Sequence, residues 1–411
     1  MLWAILTTLP LVNAAWVASG ALELALGRWV ESEGGYISDC VAVDSRGGRR
    51  GLYVTEDVKA GTELARVPKS CLICSEEADL QPAWGLSLGE FMTTMLGGAR
   101  SRGEKAPYME ALPTTEALLA DWTTEELSML QSPRLEREAS SQRDHRDGMV
   151  SNVVPWCPTA DAPTLSWAET MVRSRALTFE SGWSGTAMMC MVPFVDLANH
   201  RVPLPEEVPC FPVDLDHGEE DVVLRAPRDL ATDEEVLITY GYDGNEHLLL
   251  DYGFAEAARA GQLGSETLWL DDEIALEVVH AVPEDLGLDL TVDKLTKRAC
   301  SRSGGDATAT SDAEAVGIEV RAALVGACEA ALGAMPTTLE ADQEALAQLS
   351  AGGGEEEADP LGRRAAALTY RTGQKALLVK SIEVLRRGLD GEESTPSAER
   401  RAELLDSLRR P

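Results

Sequence analysis

The sequence predicts an α+β chain: a β-rich part that a helical stretch interrupts, then a separate α-helical part. Three observations carry that reading. β-Favouring runs broken by Gly and Pro occupy residues 47–74. Alternating apolar residues return over residues 221–242. Beyond about residue 260 the composition shifts to Ala, Leu and Glu at helical spacing.

Residues 1–20, MLWAILTTLPLVNAAWVASG, carry no charged side chain. An apolar run followed by small residues, with Val12 and Ala14 suitably placed for cleavage, fits a signal segment or the front of a bipartite plastid-targeting sequence. An apolar first helix packed on the domain fits as well, and with no targeting the protein is cytoplasmic. No other stretch is long and apolar enough to span a bilayer, so no membrane span is expected in the mature chain.

In RRGLYVTEDVKAGTELARVPKSCLIC the strands are separated at Gly51, Gly61 and Pro68. Residues from about 76 to 150 read as helical, and Thr123 with Glu126 forms a capping-box pattern. TLSWAETMVRSRALTF, 164–179, reads as another helix, followed by MMCMVPFVDLANH and an acidic, Pro-containing loop from 201 to about 221. In DEEVLITYGY, Val236, Ile238 and Tyr240 alternate with Leu237 and Thr239, so Tyr240 shares a strand face with two apolar side chains. Farther on, Thr337 with Glu340 predicts a second capping box. Leu378, Ile382, Leu385 and Leu389 fall on one helical face. Gly-, Ser- and Glu-rich stretches near 301–313 and 350–359 read as mobile loops.

The chain has 411 residues and a formal charge of −33, from 69 acidic and 36 basic residues. Such an excess repels phosphate backbones and disfavours nucleic acid as a partner. It suits a Lys-rich protein segment, or solubility alone. The eight cysteines are scattered, which does not suggest a disulfide scaffold. Cys71 and Cys74 form a CxxC, but no second pair or nearby histidines follow, so the sequence predicts no metal site. The two read as small apolar residues on or near a strand. No GxGxxG or GxxxxGK[ST] opens a helix, GWSG lacks a glycine of the nucleophile elbow, and HExxH does not occur.

Two segments remain. PFVDLANH brings Asp196, Asn199 and His200 to the end of an apolar run, and EEVLITYGYDGNEHLLLDYGF follows some forty residues later. Alone, each reads as a capped turn and a buried histidine. Together with GRRGLYVTEDVKAGTELARVP and WAETMVRSRALTF they resemble the SET-domain methyltransferases, in the branch of the Rubisco large-subunit methyltransferase. MPTTLEADQEAL and ALTYRTGQKALL are similar to that branch's helical substrate-binding domain. The blocks occur in order over roughly residues 25 to 390.

The resemblance implies a β-rich SET domain over 21–260, made of small sheets with a knot-like crossing and a helical insertion at about 76–165. A helical substrate-binding domain follows over 261–411. It also implies S-adenosylmethionine as cofactor, with Asn199 and His200 binding it alongside the backbone of Gly48, Arg49 and Arg50. Ser174 and Arg175 are further contacts, Asp196, Tyr252 and Phe254 shape the methyl-transfer channel, and Tyr240 is the catalytic residue. The chain departs from the family's E-G-x-G-L pattern, having Gly48-Arg49-Arg50-Gly51-Leu52. The implied activity is methyl transfer to a lysine in a basic segment of a protein substrate, by a monomer. The related histidine-modifying branch carries a polar amide where this chain has Leu177, which favours lysine. Histidine transfer on the same fold and a catalytically silent binding module are the alternatives.

Overall fold

The computed structural model describes residues 20–46, 49–75, 86–115, 118–180, 187–205, 213–216, 221–241, 244–259, 261–302, 310–351, 362–389 and 396–409. Gly48, nearly all of the charge-free leader, and the middle of each expected mobile loop lie outside these residues. The chain divides into two compact units. One comprises Met1–Thr115, Asp147–Arg201 and Glu206–Tyr240; the other comprises Glu116–Arg146, Val202–Pro205 and Gly241–Pro411.

The first unit is built on small sheets, as expected. β1 (Tyr36–Ile37), β4 (Glu63–Val67), β10 (Asp221–Arg225) and β9 (Val213–Asp216) form one sheet in that order. β2 (Val41–Arg46), β3 (Arg49–Val54), β11 (Glu235–Ile238) and β8 (Asn199–His200) form a second. β5 (Ile73–Cys74), β7 (Ala187–Met191) and β6 (Leu177–Glu180) form a third. β9 corrects the expected loop over 201–221: Val213 and Leu215 alternate with aspartates, and the strand pairs antiparallel with β10. Their apolar faces meet in one core that includes Leu52, Val54, Leu64, Val67, Phe194, Leu224, Val236 and Ile238.

Helices cover these sheets. α1 (Ala21–Ser32) sends Leu26 and Val30 into the core. α2 (Leu88–Arg102) starts at a capping box made by Ser87 and Glu90, and the short α3 (Ala106–Ala111) follows it. α6 (Ala162–Arg175) starts where the Asp161 carboxylate accepts the Thr164 N–H. The helix expected over 164–179 therefore ends at Arg175, and β-branched and aromatic residues carry 177–180 into β6. At Gly97 a Cβ would stand 2.8 Å from Leu165 Cδ2, so a larger residue there would have to push the Leu165 side chain aside where α2 meets α6. Cys71 is buried, as expected for an apolar role. Cys74 is not in such a role: it is bonded to Cys190, its register partner across β5 and β7, with the Cα atoms 4.2 Å apart. A separation of 116 residues hid that pairing from the sequence.

The second unit is mainly helical. Residues 116–146 belong to it, with α4 (Thr124–Ser128) and most of α5 (Pro133–Val153). Thr123 and Glu126 form the expected capping box on α4. α7 (Asn245–Tyr252) leads to a hairpin, β12 (Ser265–Trp269) and β13 (Ala275–Val279), before α8 (Leu288–Arg302), α9 (Thr310–Ala334), α10 (Leu339–Ala351), α11 (Arg363–Arg387) and α12 (Ala398–Leu405). The purely helical reading beyond residue 260 missed the hairpin, whose Leu268, Leu276 and Val278 are wholly buried against helical leucines. α8 and α9 also run into the expected loop at 301–313 from both sides. Leu378, Ile382 and Leu385 form the buried face of α11, as their spacing predicts. Among the described residues no helix is long and apolar enough to cross a membrane.

Candidate active site

β8 and β11 create the site. They pair in parallel, with Leu237 opposite Asn199 and Ile238 opposite His200. The Arg201 N–H continues the ladder to the Ile238 carbonyl at 2.9 Å. Residues 40 positions apart thereby become neighbours. His200 Nδ1 accepts the Tyr240 backbone N–H at 2.9 Å, and Tyr240 Oη donates to the Ala198 carbonyl at 2.8 Å. Tyr240 is thus tied at its backbone and at its hydroxyl to one three-residue segment. The two rings lie 5.0 Å apart, tilted by 42°.

That hydrogen bond fixes the imidazole. Nδ1 accepts, so the neutral ring carries its proton on Nε2. Burial, and secondarily the charge of Arg49, lower the His200 pKa to about 4. The ring is therefore uncharged near neutrality.

Asn199 is fixed from the other side of the strand. Its Nδ2 donates to the Arg50 carbonyl at 2.9 Å and to Glu235 Oε1 at 2.7 Å. Both amide protons are engaged, so the amide's other end is the acceptor Oδ1. The Arg50 guanidinium bonds Glu23 Oε1 and the Ala111 carbonyl, each at 3.0 Å. Gly51 completes the junction. A Cβ there would lie 2.4 Å from Glu235 Oε1 and 2.8 Å from Asn199 Nδ2, so no larger residue fits without displacing one of them.

The loop into β8 is strained. Phe194 is fully buried with φ +71° and ψ −46°, a conformation that costs a non-glycine residue about 1–3 kcal/mol. The 3-10 turn it opens, Val195–Leu197, carries Asp196. The buried Asp196 carboxylate accepts Tyr108 Oη at 2.6 Å, and its backbone carbonyl accepts Arg175 Nη1 at 3.0 Å. Burial, reinforced by the Asp196 charge, raises the Tyr108 pKa well above the phenol range, so Tyr108 stays a donor. The Ser174 hydroxyl donates to the Thr170 carbonyl of its own helix at 2.8 Å.

The first unit thus holds two hydrogen-bonded sets side by side along β8, Asn199 with the Arg50 carbonyl and Glu235, and Tyr240 with His200 and the Ala198 carbonyl, and it joins Arg175 to Asp196 separately. Arg49 acts on His200 through its charge. Tyr252 and Phe254 lie in the second unit, with ring centroids 6.1 Å apart. Sequence reading passed over Glu235 and Tyr108. Glu235 stands in an acidic run that reads as a solvated face, though two-residue alternation sets it opposite Val236. Tyr108 is 88 residues from its partner, with no local signal. Among the described residues no group of three or more His, Cys, Asp or Glu could hold a metal ion.

Comparison with known proteins matches two families in order. Residues 49–241 match the SET domain, and residues 294–378 match the Rubisco LSMT substrate-binding family. The chain is 24% identical over 418 residues to the chloroplastic ribulose-1,5 bisphosphate carboxylase/oxygenase large subunit N-methyltransferase of Nicotiana tabacum, covering 85% of this chain and 79% of that protein. A crystal structure of the SET domain of LSMT bound to lysine and AdoHcy superposes with a TM-score of 0.64 at 20% identity, over 92% of this chain and 94% of that one. Rubisco LSMT bound to sinefungin and monomethyllysine gives 0.64 at 21% identity, over 93% and 96%. At such identities the structures establish the fold.

Proposed function

We propose, for a chain that belongs to the SET-domain proteins and carries a Rubisco LSMT substrate-binding region, that it transfers a methyl group from S-adenosylmethionine to a lysine side chain of a protein. The observation that carries this reading is the double tether of Tyr240 to Ala198 and His200, beside an Asn199 whose amide is fixed.

The residues fit a cationic nucleoside cofactor. His200, neutral near pH 7, adds no positive charge. Asn199 offers a carbonyl oxygen to a donor, and the buried Asp196 brings carboxylate character three residues upstream. Asn199, His200, Arg49, Arg50 and the Ser174–Arg175 helix end would hold the cofactor, with the Gly48 backbone. Asp196, Tyr252 and Phe254 would shape the channel. When bound, S-adenosylmethionine supplies a methyl group on a sulfonium centre.

The protein's own work is alignment. A lysine amine, with a pKa near 10.4, must shed its proton before it can act as a nucleophile, and a low-dielectric site disfavours its charged form. Tyr240 Oη, held on the Ala198 carbonyl, keeps a lone pair with which to orient that amine. Leu177 supports lysine over histidine, because an imidazole acceptor needs a hydrogen-bonding partner to fix its tautomer and an isobutyl group offers none. A silent binding module has no use for so closely fixed a set of Asn199, His200 and Tyr240.

The protein would act as a monomer on a Lys-containing basic segment, with substrate affinity from the helical second unit. The charge-free leader, together with the chloroplastic relative, supports a plastid address. The test is transfer from isotope-labelled S-adenosylmethionine into a cell extract, with the modified residue mapped by mass spectrometry. Label on lysine is expected. Label on histidine alone reverses the acceptor, and a folded protein that neither binds nor transfers ends the reading.

A further inference from the structure

We infer that Glu235 is a positioning residue for the methyl transfer: its carboxylate, wedged against Gly51, sets which end of the Asn199 amide faces the bound cofactor. The inference rests on the function proposed above.

Three features of the sheet place Glu235 in this role. First, Glu235 Oε1 accepts Asn199 Nδ2 at 2.7 Å, across 36 residues of sequence. This is the shorter of the two bonds from that nitrogen, and its acceptor carries charge, which makes it the stronger. Second, both partners of Nδ2 are pure acceptors, a backbone carbonyl and a carboxylate. An asparagine amide is nearly symmetric in shape, so its two orientations differ mainly through hydrogen bonds. Turning Oδ1 toward Arg50 O and Glu235 Oε1 would set oxygen against two acceptors. Glu235 therefore fixes the orientation without touching a ligand. Third, the position is built to keep the carboxylate there. Glu235 lies on β11 opposite Tyr53 of β3, and Gly51, two residues back on β3, leaves no room for a Cβ beside Oε1. A carboxylate serving only solubility would need neither the glycine nor the amide.

Loss of Glu235 leaves the Arg50 carbonyl as the single remaining acceptor for Nδ2, so the amide orientation is held by the weaker of its two bonds. Cofactor affinity then falls, while the Tyr240 tethers, which do not involve Glu235, persist. The signature is a raised Kd and KM for S-adenosylmethionine, with kcat at saturating cofactor changed much less.

The experiment uses the full chain and measures S-adenosylmethionine binding by calorimetry alongside steady-state kinetics. Glu235→Ala should raise Kd about tenfold. Asn199→Ala should weaken binding by a similar factor. The double variant should be no weaker than Asn199→Ala alone, because the carboxylate acts only through the amide. Glu235→Gln keeps an acceptor oxygen in the same place and should restore affinity to within about threefold of wild type. Gly51→Ala, which crowds Oε1 and Nδ2, should reproduce the Glu235→Ala phenotype with Glu235 intact. Additive losses in the double variant would overturn the inference, as would a Glu235→Ala protein of wild-type affinity. Should Glu235→Ala fail to fold, Gly51→Ala and Glu235→Gln carry the test, and wild-type affinity for Gly51→Ala overturns it. A wild-type protein that binds no cofactor sinks the function as well as this inference, whereas a binding wild type with an indifferent Glu235 sinks the inference alone.

Discussion

The first unit ties Tyr240 to its neighbours by uncharged donors and acceptors, whereas the second unit buries a lysine and an aspartate completely. Lys375 and Asp342 are both 0% exposed. Lys375 Nζ bonds Asp342 Oδ2 at 2.5 Å, Thr337 Oγ1 at 2.8 Å and Gln131 Oε1 at 3.1 Å, so each ammonium proton has an acceptor. Asp342 Oδ1 receives Arg371 at 2.8 Å and the Thr337 hydroxyl at 2.8 Å. Burial, the largest influence, would raise the Asp342 pKa, but the bonds from Lys375 and Thr337 and the nearby Arg371 outweigh it and the net shift is downward. The difference teaches what each cluster is for. The charged cluster is closed on itself and locks α4–α5 residues to α10 and α11. The uncharged one fixes Tyr240 against His200 and Ala198 and keeps the imidazole neutral.

The largest effect should come from breaking the closed cluster. Asp342→Ala leaves an uncompensated ammonium in the core, and breaking a buried pair in this way costs about 3–5 kcal/mol. Asp342→Leu combined with Lys375→Met removes both charges and should lose less than Asp342→Ala alone. Urea unfolding of the three proteins decides it. A loss for Asp342→Ala no greater than for a surface substitution would make the cluster decorative.

Tyr240→Phe should act in the opposite sense, on rate rather than stability. It removes one oxygen whose bond to the Ala198 carbonyl contributes about 0.5–1.5 kcal/mol. If that oxygen orients the reacting amine, kcat should fall by roughly 10²-fold or more, with near-normal cofactor affinity. A wild-type turnover would remove Tyr240 from catalysis, and an unfolded variant would make it structural.

The uncharged state of His200 gives a third contrast. Its folded pKa of about 4 lies below the ordinary 6.5. Between these values the unfolded chain binds a proton that the folded chain refuses, so stability rises with pH through that window and falls as pH drops from about 6.5 to 4. The full swing is on the order of 3 kcal/mol. His200→Gln should flatten that part of the stability curve. An unchanged slope would mean the histidine titrates normally in the folded protein.

What the sequence made legible follows from range. Local periodicity identified the buried face of α11 at Leu378, Ile382 and Leu385, and local chemistry identified the Thr123–Glu126 cap. Ordered motifs pointed to Asn199, His200 and Tyr240, which the parallel pairing of β8 with β11 brings together. Partners far apart in the chain stayed invisible. Tyr108 with Asp196, Glu235 with Asn199, and Cys74 with Cys190 are set by tertiary packing, and no periodicity reports them. The short strands β9, β12 and β13 were missed for the same reason, since their stability comes from the neighbours they pair with.

The adjacent threonines at 337 and 338 sharpen the comparison on the smallest scale. The expected capping box of Thr337 with Glu340 does not form, and the helix cap stands one residue later. Thr338 Oγ1 accepts the Ala341 N–H at 3.2 Å and caps α10, because the Thr337 hydroxyl is taken up by Lys375, Asp342 and Gln131. Identical side chains therefore do different work one residue apart. Thr338→Ala exposes a helix-terminal N–H that water can reach, and should cost about 1 kcal/mol. Thr337→Ala instead strips an acceptor from a buried ammonium, and leaving such a group short of a partner costs about 1–3 kcal/mol. Thr337→Ser keeps the hydroxyl and should recover most of that loss, whereas Thr338→Ser should be nearly silent. Equal losses for the two alanine variants would mean that the cluster tolerates a missing acceptor, and the contrast between a closed charged network and an ordinary helix cap would fail where the two stand side by side.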